Sequence, residues 1–229
     1  MVLAYGQAGA LAATGIVTLF GGILAFLMTQ SYLRNRRSSH LFWSIGLWVF
    51  ALSDFLEFVF ALNVYSTLLM AIYLFIIVLL TQLLSLGSIQ LVSSKPIRYG
   101  YTIFAGVIAI VVLISVLVGP ISNLVMDYVV LGQPTLFIII SSSLGTFPAA
   151  AVLIWVAALG YKRTRSPKML SIIAGVLVIG FAGTLYIATF PSFLYIAELF
   201  GVFLLFYGFY SPSYGKNAKA TSSSRSKRQ

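Results

Sequence analysis

Seven apolar stretches, each about as long as a bilayer-crossing helix, divide this 229-residue chain and leave little room for anything but a bundle of membrane helices. A helix needs ~20 mainly apolar residues to cross the hydrocarbon core. The stretches fall at roughly 10–33, 41–62, 66–91, 101–118, 135–160, 169–190 and 192–210. A soluble fold of this size would need a polar shell, with about 25% of its residues charged. Here 8% are, so lipid is the solvent that suits the chain. The fold class expected is therefore all-α: a polytopic integral membrane protein with seven transmembrane helices over 1–210. Residues 211–229 form a Ser- and Lys/Arg-rich tail without large aliphatic side chains, which cannot bury enough apolar area to fold.

Positive charge gives the direction. The 14 Lys and Arg residues fall in segments 34–37, 95–98 and 162–168 and in the tail. In a seven-span chain these all lie on one side, and basic residues near span ends stay cytoplasmic. The expectation is a multi-pass protein of the cell membrane with its amino end outside and its carboxyl end in the cytoplasm. Residues 1–10 carry no basic stretch ahead of the first apolar run, as a cleaved signal peptide would, so that run is read as a retained span. The net charge of +10 is then largely the positive-inside signal, and direct nucleic-acid binding is not expected. The tail is read as attracted to anionic lipid, at ~1 kcal/mol per basic residue near the surface, with a cytosolic partner as the alternative.

Several chemistries are excluded by residue content. There is no cysteine, so disulfides, thiolate nucleophiles and Cys-held metals are absent. The single histidine, His40, leaves no pair to grip haem or zinc. No Ser/His pair with a base is available, and the chain is read as non-enzymatic, with no cofactor.

An offset of 129 residues lays the first basic segment on the third: Tyr32 on Tyr161, Arg34 on Arg163, Arg36 on Arg165, then Leu41 on Leu170, Gly46 on Gly175 and Val49 on Val178. Spans 1–3 and 5–7 would then be parallel copies joined by span 4, a 3+1+3 plan that recurs in transporters with a substrate path between the copies. Both loops being cytoplasmic would also make them alike by charge alone.

Ionisable groups within spans are costly, by ~2.5 kcal/mol or more at the helix centre, and so mark candidate sites. There are three: Asp54 and Glu57 on span 2 and Glu198 on span 7; Asp127 belongs to the outer loop. Counted from Leu41 at ~1.5 Å per residue, Asp54 and Glu57 lie about 20 and 24 Å along span 2, and Glu198 roughly 9 Å into span 7. All three should then sit in the outer half at similar height. Asp54 and Glu57, three apart, share a face, with Gly46 and Ser53 on or near it. No basic residue within a span neutralises them. They are either protonated glue between helices or the lining of a wet cavity that binds a cation or relays a proton.

Thr81, Gln82, Ser85, Ser88 and Gln90 add a polar stripe to span 3, read either as part of a polar route or as hydrogen bonding between helices. The candidate pathway residues are thus Asp54, Glu57, Glu198, Gln82 and Ser53. Small residues four apart (Thr14, Thr18, Gly22; Ser141, Gly145, Ala149) predict close helix approach. Pro148 predicts a kink in span 5. Trp43 and Tyr101 are placed in an interfacial belt. The apolar outer loop 119–135 is expected to lie in the interface or cap the bundle.

The seven-span layout resembles that of microbial rhodopsins, but span 7 has no lysine to bind retinal. It is also similar to the 3+1+3 plan of SWEET-type sugar transporters, whose prolines are not reproduced in spans 1 and 2. The stretch from Trp43 to Phe58 is similar to the seven-span input modules of bacterial sensor kinases, here with no kinase domain following. The function read from the residues is a passage across the membrane, a transporter or channel coupled to protons or cations. The alternatives are a non-catalytic subunit of a larger machine, such as a DNA-import or secretion apparatus or a respiratory complex, and a membrane sensor. The partners expected are the lipid bilayer and either other membrane proteins or further copies of the chain.

Overall fold

In the computed structural model the backbone is described for residues 2–121, 125–126, 129–130, 135–187 and 191–209, and the side chains for residues 7–121, 135–178 and 197–208. Asp127 and the tail lie outside the described residues. Seven helices follow in order: α1 (Val2–Asn35), α2 (Ser38–Ala61), α3 (Thr67–Ile89), α4 (Lys95–Val118), α5 (Leu136–Thr164), α6 (Pro167–Ile187) and α7 (Pro191–Phe209). Among the described residues, the first five are long and apolar enough to cross a membrane. Between α4 and α5 two short strands, β1 (Val125–Met126) and β2 (Val129–Val130), pair antiparallel, and β2 packs on α2. The long loop thus holds a small β-ribbon that the apolar pattern does not predict.

Helix starts carry recognisable signals. Ser66 caps α3 by accepting the Leu69 N–H at 3.3 Å. Proline stands in the first turn of α4, α6 and α7, where its missing N–H leaves no bond unmade. The helices run beyond the apolar stretches at the basic end, because a helix needs apolar side chains only where lipid surrounds it. Arg34, Lys95, Lys162 and Arg163 are helical, and the turn between α1 and α2 shrinks to Arg36 and Arg37.

Packing of consecutive helices, skipping α4, closes a ring. α1 packs on α2, α2 on α3, α3 on α5, α5 on α6, α6 on α7, and α7 back on α1. α4 lies outside, against α3 and α5. Few of its side chains are buried, Ala105, Val112, Ser115 and Val116, while Ile103, Val107, Ile110, Ile114 and Leu117 are exposed. Apolar surface of this extent suits a lipid environment. Ser115 Oγ and Ser141 Oγ, 2.7 Å apart, tie α4 to α5. Ser141, Gly145 and Ala149 of the α5 small-residue stripe are all buried, and Gly145 faces Val78 and Gln82 of α3 and Ile108 of α4. On α1 the glycines that meet α2 are Gly15, against Phe58, and Gly21, against Phe50; Gly22 faces open space. α5 is helical through Pro148.

Trp43 and Tyr101, each near a helix end, both find polar partners on neighbouring helices. Trp43 is buried and its Nε1 donates to Leu84 O at 3.2 Å and Ser88 Oγ at 3.3 Å. Tyr101 Oη lies 2.6 Å from Ser85 Oγ.

The two basic turns 129 residues apart share one backbone pattern. Arg36 and Arg165 both adopt the left-handed conformation, with φ of 51° and 52°. The Arg36 N–H donates to Tyr32 O at 2.7 Å, and the Arg165 N–H to Tyr161 O at 2.8 Å. His40 N–H to Arg37 O and Met169 N–H to Ser166 O, both 3.1 Å, repeat the agreement on the far side of each turn. Side-chain neighbours correspond too. A methyl group on Gly87 would strike Trp43 and approach Ser39 O at 3.0 Å; one on Gly208 would strike Ile172 and approach Lys168 O at 3.0 Å. Gly46 faces Leu84 as Gly175 faces Leu205.

Candidate functional site

α2 is enclosed by α1, α3 and β2, and its inward face runs Gly46, Phe50, Ser53, Asp54, Glu57 and Ala61. The spacing is that of one side of a 3.6-residue helix, so the two acids are carried inward with the apolar residues around them. Asp54 is 3% exposed and Glu57 6%. Since α2 starts at Ser38, three residues before the apolar stretch, the acids lie about 24 and 28 Å along it, in its last two turns. Both lie toward the end of α2 away from the basic turn. Glu198, seven residues after the start of α7, approaches the same end.

These three side chains converge. One carboxylate oxygen from each of Asp54, Glu57 and Glu198 lies within 4.8 Å of the other two. The ring explains the meeting: Gly15 and Gly21 let α2 settle close on α1, and α1 packs on α7 from its other flank. Tyr73, in the second turn of α3, completes the group by donating its hydroxyl to Glu57 Oε1 at 2.5 Å. Phe60 lies edge-on to the Tyr73 ring and fixes its position. Asp54 Oδ2 and Glu198 Oε2 are buried without a hydrogen-bond partner.

Three ionised carboxylates cannot share this space unaided. At 4.8 Å and an effective dielectric of about 20, each like-charged pair repels by about 3.5 kcal/mol. The described basic residues are at the other end of the helices: Arg37 precedes α2, and Lys168 O faces Gly208, ten residues beyond Glu198. Repulsion of this size is relieved where such groups share a proton or a cation. Buried oxygen atoms with no partner are the acceptors such a ligand would satisfy.

The other candidates are placed differently. Ser53 Oγ donates to Phe50 O of its own helix at 2.7 Å. Gln82 is nine residues from Tyr73, half a turn round α3, and faces α5, where a methyl on Gly145 would lie 3.2 Å from its Nε2. That Nε2 is buried and unpartnered. Thr81 bonds its own helix, whereas Ser85 meets Tyr101 and Ser88 meets Trp43, so two of the five stripe residues join helices. Tyr73 is the member that the apolar pattern does not single out. Its depth carries the signal: about 9 Å into α3, it is level with Glu198 and Glu57.

Comparison of the chain with known protein families, with curated proteins and with solved structures yields no match.

Proposed function

We propose that the protein crosses the membrane seven times and provides a passage for a proton or small cation, with Asp54, Glu57 and Glu198 as its binding group. The observation that carries this reading is the convergence of three acids, two of them with unpartnered buried oxygens, inside a ring of helices. Glue between helices would leave such oxygens bonded to donors. The reading assigns no catalytic step to the chain.

The seven-span count draws support from α6 and α7, whose 21 and 19 residues are close to the span requirement. Basic residues at one end of the helices support a cytoplasmic assignment for that end, and with it an amino end outside and an acid group toward the outer face. The 3+1+3 repeat is supported by the shared bonding of the turns at Arg36 and Arg165 and by the position of α4 outside the ring. In this plan the path lies between the α1–α3 and α5–α7 triplets, and the acids stand at its outer mouth.

The test is ion movement in proteoliposomes, read with dyes for H⁺, Na⁺, K⁺ and Ca²⁺ against protein-free vesicles. The passage reading expects gradient-driven flux of at least one of these ions. Flux equal to that of empty vesicles for all four, from protein that is folded and inserted, rejects it.

A further inference from the structure

The apolar α4 face, the orphaned Gln82 amide and the acid group are the places in the molecule whose chemistry is unspent. The first has nothing on it that names an occupant, and the second is a lone donor against a glycine. The acid group specifies a ligand.

We infer that Asp54, Glu57 and Glu198 form a binding site for a dehydrated, hard divalent cation of calcium size. The donors are all carboxylate oxygens, the ligand type that selects hard cations over those preferring nitrogen or sulfur. Their spacing sets the size. Two oxygens on one ion cannot be farther apart than twice the metal–oxygen distance, about 4.6–5.2 Å for Ca²⁺ and about 4.2 Å for Mg²⁺. Oxygens spread over as much as 4.8 Å fit the first and must contract for the second. Burial adds to this discrimination, since Mg²⁺ keeps its water shell and needs room for it.

Two further features mark the group as a site and not merely a crowd of acids. Asp54 is almost wholly enclosed, and its Oδ2 has no donor. Tyr73 holds Glu57 from the side, as an outer partner orients a ligating carboxylate. A divalent cation also cancels two of the three negative charges, where a monovalent one cancels a single charge. The assignment rests on the passage reading of this same group, naming the ion it takes, and its test separates the two.

The experiment is equilibrium binding of radioactive Ca²⁺ to the full chain in lipid nanodiscs at fixed ionic strength. The expected result is one saturable Ca²⁺ per chain, retained in tenfold excess Mg²⁺, with affinity falling at least tenfold in Asp54→Asn and in Glu198→Gln. No saturable Ca²⁺ binding by the unaltered protein overturns the site, as does displacement by equimolar Mg²⁺. Both of those outcomes use the unaltered chain, so they decide the matter even where a variant fails to fold. Ca²⁺ binding without flux of any ion upholds the site and sinks the passage reading. Proton flux without Ca²⁺ binding sinks the site and leaves that reading standing.

Discussion

Tyr73 and Glu57 are joined across α3 and α2 by a buried hydrogen bond of 2.5 Å, which ties one of the three converging acids to a neighbouring helix. Removing the hydroxyl leaves a buried carboxylate oxygen without its donor. Such a loss costs about 1–3 kcal/mol. Tyr73→Phe is therefore expected to lower stability by that amount, measured as the midpoint of denaturant unfolding in mixed micelles. It should also weaken cation binding, since Glu57 would no longer be held in place. An unchanged midpoint would show that the bond is not made.

Two glycines make a paired prediction. Gly87→Ala drives a methyl into Trp43, and Gly208→Ala drives one into Ile172. Overpacking of this kind costs typically about 1–3 kcal/mol. If α1–α3 and α5–α7 are copies of one unit, both substitutions should destabilise to a similar degree, because each puts a methyl against the matching neighbour, Trp43 or Ile172. Gly106→Ala, with nothing within 4 Å, serves as the control and should be neutral or slightly stabilising. Destabilisation by one seam glycine but not the other would count against the repeat.

Much of this architecture is legible in the amino-acid sequence. Apolar length finds the helices to within a few residues at most ends, because hydrocarbon thickness is a fixed ruler. Helix rise places Asp54, Glu57 and Glu198 at one level for the same reason. What rise cannot supply is rotation about each axis. It leaves open whether Glu198 faces α2, which the closing of the ring decides, and it groups Gln82 with the acids although Gln82 faces α5. The α1 stripe is met in part: Thr14 is buried and Gly22 faces open space, while Gly15 and Gly21, off the four-residue spacing, meet α2. The bonds from Trp43 to Leu84 and Ser88 are not legible in the sequence, because those partners are more than forty residues away.

The absence of cysteine makes the topology directly testable, since a single introduced thiol is the only one present. Tyr65→Cys lies in an exposed turn at the acid end, and Ser93→Cys in one at the basic end. In intact cells a membrane-impermeant maleimide should label Tyr65→Cys and spare Ser93→Cys until the membrane is opened. The reverse pattern would invert the orientation, and labelling of both would break the span count.

Cation binding by carboxylates requires them deprotonated, so it releases protons and competes with them. The sign follows: Ca²⁺ affinity should fall as pH falls, by at least about tenfold between pH 8 and pH 5. Binding titrations across that range, with proton release followed in weak buffer, check both halves. An affinity independent of pH would mean that the ion is held by groups other than these acids.

If the three carboxyl groups serve passage, removing the charge of one must slow it. The most direct measurement is the initial rate of ion flux by Glu198→Gln beside the unaltered protein, at equal density in the same vesicles. Glutamine keeps the size and shape of the side chain, removes its charge and puts an NH₂ donor in place of one accepting oxygen. A passage through this group predicts at least a tenfold fall in rate, with folding and insertion preserved. A rate within twofold of the unaltered protein would contradict it.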